Sequence, residues 1–517
     1  MSFDSPQLVD AAQRFRDTAL IIRDPGSGAI GVAFGQTPAG VEHLATLPPL
    51  FPEWLGNRGF CETHGVRFPY VGGAMANGIA SPAMVIALAR SGMLGFLGTA
   101  GLSLHQMEEY LRVTSSELDA HGASWGANLI HSPQEPGLEM ATVELFLRHG
   151  VRRVSASAFM RLTPAAVRFS ASGLAAGPDG ETRRPHKLFA KISRPEVASA
   201  FLSPPPLRIL DELVAQGLLT RDEARLARDL PVATDLIVES DSGGHTDNRP
   251  LSALFPVIAA LRSEIAREHP GAAQVHLGAA GGLGTPEAVA AAFALGADFV
   301  LTGSINQASV EAAQSPTAKA MLAQASFSDC TMAPAGDMFE MGVEVQVLRR
   351  GTLFAQRARK LFEIYSLYDG IDEIPPEIRE RLEREIFQAS MEEIWSQTAD
   401  YFRDADPTQL QRAESDEKHR LALVCRWYLG LSSKWSIQGT EDRRMDYQIW
   451  MGPAQGAFNQ WVGGTFLEPW EHRQVAQMAL NLLEGAAVVT RAHQLRTYGC
   501  PMPPAAFQWV PRPIELG

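Results

Sequence analysis

The chain has 517 residues, of which 45% are apolar and 20% charged, and its formal net charge is −13. That length exceeds one ordinary core and argues for a large domain with one or two smaller ones, in a protein of soluble globular composition. The acidic balance argues against general nucleic-acid binding, and the absence of an apolar run of about 18 residues argues against a membrane span.

The N-terminal MSFDSPQLVDAAQRFRD carries acids and arginines where a signal peptide needs an apolar core. Cys61, Cys330, Cys425 and Cys500 lie far apart, with no CxxC pair and no metal-ligand spacing. The expectation is a reduced, cytoplasmic setting with no structural metal.

Residues 1–65 form a small N-terminal segment that mixes strand-like pieces (ALIIRD, IGVAFG) with Gly/Pro turns, and PPLFPEWLGN reads as a linker or docking loop. From Tyr70 the rhythm becomes strand, small-residue turn, helix. Strands are predicted at 70–73, 93–98, 124–130, 151–156, 187–192, 234–239, 274–279 and 298–303. The stretches between them read as helices. In SPAMVIALARSG and TPEAVAAAFALG a Ser or Thr precedes a proline at the first helical position, and a glycine closes the helix. Apolar runs alternating with helices imply parallel strands covered on both faces. Eight such units in about 250 residues match an α/β fold of the (β/α)8 TIM-barrel type. A doubly wound sheet stays open as the alternative, because a count of units does not prove closure.

Two segments depart from this rhythm. PPPLRILDELVAQGLLTRDEARLARDL (204–230) inserts a charged helical pair between the fifth and sixth strands. Beyond Leu361 the pattern is helical. In EIRERLEREIFQASMEEIW, residues Ile378, Leu382, Ile386, Met391, Ile394 and Trp395 make one apolar face. The expected division is therefore 1–65, a barrel over 66–360 with the insertion 204–230, and a helical C-terminal domain over 361–517.

Chemistry in such a barrel sits at the carboxyl ends of the strands. After strands seven and eight come AAGGLGTPE and LTGSIN, where backbone N–H groups of Gly281, Gly282, Gly303 and Ser304 could converge on a phosphate. The plain alternative is two ordinary strand-to-helix turns. After strand one, Gly72, Gly73, Ala74 and Met75 would let a flat ring system lie against the backbone, or form only a Gly-rich turn with Ser81 as helix cap. Asn128 offers an amide to a ring edge, or bonds local backbone. Lys191 ends strand five, where it could meet an anionic ligand or simply snorkel. In VESDSGGHTDNRP, Asp247 or Asn248 can cap the next helix, with Pro250 in its first turn. Capping leaves Gly243, Gly244 and His245 unexplained, and an imidazole delivered to the mouth is suited to moving a proton near pH 7.

GGAMANG, GANLI, ESDSGGH, AAGG and TGS occur in the order found in the flavin-mononucleotide (FMN) barrels of the nitronate monooxygenase and enoyl-reductase superfamily, which the chain resembles. ESDSGGHTDNRP, followed by TMAPAGDMFEMGVEVQVLRRGTLF (331–354), RWYLGLSSKW (426–435) and MDYQIWMGPAQGAFNQWV (445–462), is similar to a narrower group. That group is the PfaD-type trans-acting enoyl reductases of polyunsaturated-fatty-acid and polyketide synthases. The resemblance covers nearly the whole chain. It implies an FMN phosphate at Gly281, Gly282, Gly303 and Ser304, and an isoalloxazine against Gly72 to Met75. Asn128 and Lys191 would lie near the ring's polar edge, with Gly243 in the turn that brings His245 beside the flavin. It further implies hydride from NADPH or NADH, passed by way of FMN to a 2-enoyl thioester on the phosphopantetheine arm of an acyl carrier protein. His245 would be proton donor or enolate stabiliser. The 204–230 insertion and the helical domain are candidates for carrier docking or for forming a homodimer. Thr246-Asp247-Asn248-Arg249 stands where many nitronate monooxygenases soon have a glycine, which favours the enoyl-reductase branch. A nitronate-oxidising enzyme using His245 as base, and a non-catalytic flavoprotein scaffold subunit, are the competing expectations.

Overall fold

The computed structural model describes residues 4–132, 136–178, 180–244 and 246–515. The chain forms two compact units, one of Met1–Ser242, Thr246–Ala313 and Ala457–Gly517, the other of Gly243–His245 and Gln314–Gly456. This corrects the expected division at two places. Residues 314–360 belong with the helical unit, and residues 457–517 belong with the barrel. The physical reason for the second is helix Val475–Thr497, which is apolar almost all round and buried along most of its length. It packs along helix Pro286–Ala294 of the barrel. A Cβ at Gly485 would stand 2.6 Å from Pro286 Cγ, so glycine there sets the close approach.

In the first unit, β1 (Ala19–Arg23) lies between β2 (Ile30–Phe34) and β3 (Glu42–Leu47) in a small antiparallel sheet. The barrel follows with β4 (Tyr70–Gly72), β5 (Leu94–Leu97), β6 (Gly126–Ile130) and β7 (Arg153–Ser157). A short hairpin of β8 (Ala175–Ala176) and β9 (Thr182–Arg183) precedes β10 (Lys187–Ile192), β11 (Asp235–Glu239), β12 (His276–Ala280) and β13 (Phe299–Thr302). All eight barrel strands are parallel, and pairing of β13 with β4 through Leu301 and Val71 closes the ring. Closure rules out the doubly wound sheet and gives a (β/α)8 barrel. Its interior is filled by Val71, Leu94, Phe96, Phe189, Ile237, Phe299 and Leu301. Phe60, from helix Arg58–His64, stacks on Phe299 with ring centroids 4.3 Å apart and closes the amino-terminal end. The insertion is a pair of short helices, Leu207–Ala215 and Arg221–Ala227, whose Ile209, Leu210 and Leu213 share an apolar cluster with Val167 and Ala171.

In the second unit, β14 (Cys330–Pro334) and β15 (Glu344–Leu348) form an antiparallel ribbon beside helices Phe354–Leu367 and Glu417–Gln438. The amphipathic run read as one helix is broken. Helix Pro376–Leu382 widens into a π-turn over Glu383–Phe387, Gln388 takes φ 59°, and a second helix runs Met391–Ala405. The apolar face survives the break, since Leu382, Ile386, Met391 and Ile394 all enter one core. Among the described residues no helix is long and apolar enough to cross a membrane.

Candidate functional site

The carboxyl ends of β12 and β13 lie side by side, because the two strands pair through Ala280 and Leu301. Gly281 and Gly282 follow β12 with φ of 87° and 72°, a left-handed pair that glycine alone adopts freely. The two have different neighbours. A Cβ at Gly281 would stand 2.5 Å from Ser240 Oγ, whereas nothing lies within 4 Å of that position at Gly282 or at Gly303. Gly281 therefore lets the β11 end approach, while Gly282 and Gly303 face open space. Ser304 starts the turn Ser304–Ala308, and Asn306 steadies it by donating from Nδ2 to the Thr302 carbonyl at 3.0 Å.

The loop after β4 is pinned on its neighbours. A Cβ at Gly72 would collide with Leu88 Cδ1 at 2.2 Å, and one at Gly73 with Leu301 Cδ2 at 2.7 Å. The Gly73 N–H donates to the Thr302 carbonyl at 2.8 Å, and Ala74 packs against the barrel interior. The Met75 backbone lies over Gly98, where a Cβ would meet Met75 O at 1.7 Å. Ser81 caps the following helix by accepting from the Met84 N–H at 3.2 Å. The glycines at 72 and 73 thus accommodate side chains of the protein, and the path of this loop is set by β5 and β13.

Asn128 is buried on β6, and its Oδ1 accepts from Ser157 Oγ at 2.6 Å. Lys191 Nζ lies 2.9 Å from Glu239 Oε1, with both side chains mostly buried. Ser242 Oγ donates to the same carboxylate oxygen at 3.0 Å. Lys191 is thus ion-paired, and its partner had no signal in the sequence, since the two are joined only by the neighbouring positions of β10 and β11.

His245 lies outside the described residues. Gly243 belongs to the second unit, where a Cβ would stand 3.0 Å from the Met451 nitrogen. The capping expectation for TDNRP is corrected. Helix Leu251–Ile265 begins after Pro250 with no side-chain cap. Asp247 instead takes a bidentate pair from Arg194, at 2.7 Å from Nε and 2.9 Å from Nη2. These hydrogen bonds hold the Asp247 carboxyl below the usual range. A charged fork outweighs a neutral cap, and Asn248 turns at φ 52° with its N–H donating to Thr246 Oγ1 at 3.1 Å.

One group at the same end was not anticipated. His131 directly follows β6, and its Nδ1 lies 3.0 Å from Glu139 Oε2 in the first turn of helix Pro136–Arg148. The carboxylate also accepts from the Ser132 N–H at 3.3 Å and from the Thr163 hydroxyl. The imidazole stacks on Phe159, with centroids 5.0 Å apart and planes 23° apart. Ala158, just before Phe159, holds φ 61°, an uncommon conformation for a residue with a Cβ. The signal was a histidine at the end of a strand followed eight positions later by a glutamate, a spacing that declares itself only when the loop is folded.

The opposite end of the barrel carries a buried cluster of metal-ligand residue types, His64, Asp235 and His276. His64 Nε2 lies 3.0 Å and His276 Nδ1 2.9 Å from Asp235 Oδ1. Arg153 Nε donates to His64 Nδ1 at 3.4 Å. That nitrogen is therefore an acceptor, and Nε2 carries the hydrogen toward Asp235. The cluster is satisfied as a hydrogen-bond network that locks helix Arg58–His64 under the barrel.

Known proteins share this architecture. The chain is 37% identical to the enoyl reductase domain of MlnA from the macrolactin biosynthesis cluster of Bacillus amyloliquefaciens, with a TM-score of 0.82, over 86% of this chain and 99% of that one. It is 45% identical over 449 residues to a polyunsaturated fatty acid synthase subunit of a Thraustochytrium species. It is 46% identical over 447 residues to the polyketide biosynthesis protein ThaF of Burkholderia thailandensis, and 44% over 446 to PksE of Bacillus subtilis. The matches take 86% of this chain in each case, but only 30%, 38% and 58% of those relatives. Residues 368–447, within the helical unit, match the family described as the inserted helical domain of [acyl-carrier-protein] S-malonyltransferase.

Proposed function

The chain belongs to the enoyl reductase family of which the MlnA domain is a solved member, and from that premise we propose that it reduces the double bond of 2-enoyl thioesters. The observation that carries this reading is 37% identity, with a TM-score of 0.82, across 99% of that enoyl reductase domain. The names of the relatives, polyketide biosynthesis proteins and a polyunsaturated fatty acid synthase component, support one of those two pathways as the setting. Within it, the reading is a PfaD-type enzyme acting in trans on thioesters carried by an acyl carrier protein.

FMN fits the residues at the barrel mouth. Gly282 and Gly303 leave open the space that a Cβ would fill, on adjacent turns where this fold binds phosphate. They would hold the phosphate together with Ser304 and the backbone of Gly281. The pinned loop Gly72–Met75 would back the ring, with Asn128 at its edge; Lys191 would approach it as one half of an ion pair. Bound FMN supplies hydride transfer from NADPH to the enoyl group. The protein's own task is to orient the thioester, exclude water and deliver a proton, for which His245 is the proposed donor or enolate stabiliser.

The test is anaerobic. NADPH should bleach the flavin absorbance of the purified protein, and a crotonyl thioester on a carrier protein should restore it. Bleaching that no enoyl thioester reverses would overturn the reading.

A further inference from the structure

We infer that His131, oriented by Glu139, is the proton donor to the α-carbon of the enoyl thioester at the barrel mouth; the inference rests on the enoyl-reductase reading above and leaves His245 the role of enolate stabiliser. Four observations converge on this group. It stands at the carboxyl end of β6, the end where this fold places its chemistry. Its Nδ1 is engaged by Glu139, while among the described residues Nε2 has no hydrogen-bond partner. The pair is buried, with 8% of His131 and 4% of Glu139 exposed. The wall behind the ring is built by Phe159, next to the left-handed Ala158.

A purely structural tie between β6 and the next helix would need only the Ser132 N–H and the Thr163 hydroxyl on Glu139. A buried carboxylate is costly to desolvate, and it is commonly retained where it stabilises a cation. Glu139 is also the only charged group bonded to the imidazole among the described residues. With Nδ1–H fixed on Glu139, the second nitrogen is the one that can exchange a proton with a ligand, the arrangement in which a carboxylate sets the tautomer and supports the imidazolium. Backbone strain at Ala158 is of the kind concentrated at functional sites.

Hydride from a reduced nicotinamide, which bound FMN would supply, would form the bond at the β-carbon and leave an enolate on the thioester. The Nε2–H bond of the His131 imidazolium then breaks and the α-carbon C–H bond forms. His131 is left as the neutral Nδ1–H tautomer on Glu139 and regains its proton from water.

Rapid mixing can separate the two half-reactions for the wild type, His131→Gln and Glu139→Gln. His131→Gln should slow re-oxidation by the crotonyl carrier thioester roughly a hundredfold and leave bleaching by NADPH unchanged. Glu139→Gln should slow re-oxidation less than His131→Gln and leave bleaching unchanged, because the ring keeps its second nitrogen but loses the carboxylate that orients it. Equal slowing of both half-reactions, or wild-type re-oxidation rates in both variants, would overturn the inference. Should either variant fail to fold, diethyl pyrocarbonate labelling of the wild type decides. His131 should be carbethoxylated and the crotonyl thioester should protect it; lack of labelling or of protection counts against the role. A wild type that NADPH bleaches but no enoyl thioester re-oxidises removes the parent reading, and this inference with it.

Discussion

Lys191 Nζ and Glu239 Oε1, 2.9 Å apart on the neighbouring strands β10 and β11, form an ion pair just below the barrel mouth, with side chains only 15% and 12% exposed. Removing one member of such a pair leaves the other charge buried, which costs about 3 kcal/mol. Lys191→Met should therefore lower the unfolding free energy read from urea titration by that order. Lys191→Met combined with Glu239→Leu should recover part of the loss, because no charge then remains uncompensated. Equal midpoints for the single variant and the wild type would show that the pair is solvated.

The glycines of the proposed phosphate turns separate into two kinds. At Gly303 φ is negative, −128°, outside the left-handed region, and a Cβ meets nothing within 4 Å. Gly303→Ala should keep stability within about 0.5 kcal/mol while weakening flavin retention roughly tenfold, the equivalent of about 1.4 kcal/mol. At Gly281 the same change forces φ 87° on an alanine and drives its Cβ toward Ser240 Oγ. It should cost about 2 kcal/mol or more of stability before any effect on the cofactor. Flavin absorbance per protein and denaturant midpoints read the two effects separately. A loss of stability in Gly303→Ala as large as in Gly281→Ala would remove the distinction.

His245 is proposed for the proton side of the reaction, so its loss should fall unevenly on the two half-reactions. His245→Ala should slow re-oxidation by an enoyl thioester by roughly a hundredfold or more, with bleaching by NADPH changed little. If both rates match the wild type, the histidine has no part in the chemistry. If His245→Ala and His131→Gln each slow re-oxidation, the combined variant tells whether they serve one proton path: a shared path makes the two losses less than additive.

The barrel was legible because each of its strands is a short apolar run bounded by small or capping residues, and no strand end departs from its predicted position by more than two residues. β3 escaped because EHLATL is largely exposed and carries no clean alternation. The break at Gln388 escaped because the apolar spacing continues across it. Helix Val475–Thr497 looked like part of a separate domain, since all-round hydrophobicity says that a helix is buried without saying against what. The phosphate turns were visible as Gly-Gly and Gly-Ser after apolar runs. Lys191–Glu239, Arg194–Asp247 and His131–Glu139 were not, because each pair is made by folded strand ends and loops and none lies at a helical spacing of three or four residues.

The network under the barrel predicts how stability responds to acid. Burial is the largest influence on Asp235 and works to raise its carboxyl, but the His64 imidazole and the hydrogen bonds from His276 and His64 outweigh it and hold the group well below the usual range. Burial also lowers His64, and the Arg153 guanidinium adds to that effect against the pull of Asp235. Both shifts have the same sign for folding. The unfolded chain binds a proton at either residue more readily than the native protein does, so each contributes stability that falls as pH falls. The His64 contribution is whole above its unfolded value, about pH 6.5, and declines below it by up to about 1.4 kcal/mol per pH unit. The Asp235 contribution is whole above about pH 4 and declines below that. Urea midpoints measured downward from neutrality should therefore drop in two stages. His64→Gln, whose amide can still donate to Asp235, should shrink the upper stage, to which His186, His419 and His493, all lowered by desolvation, also contribute, and leave the lower one. A midpoint that stays level through the upper window in the wild type would mean that His64 is not held neutral in the folded protein.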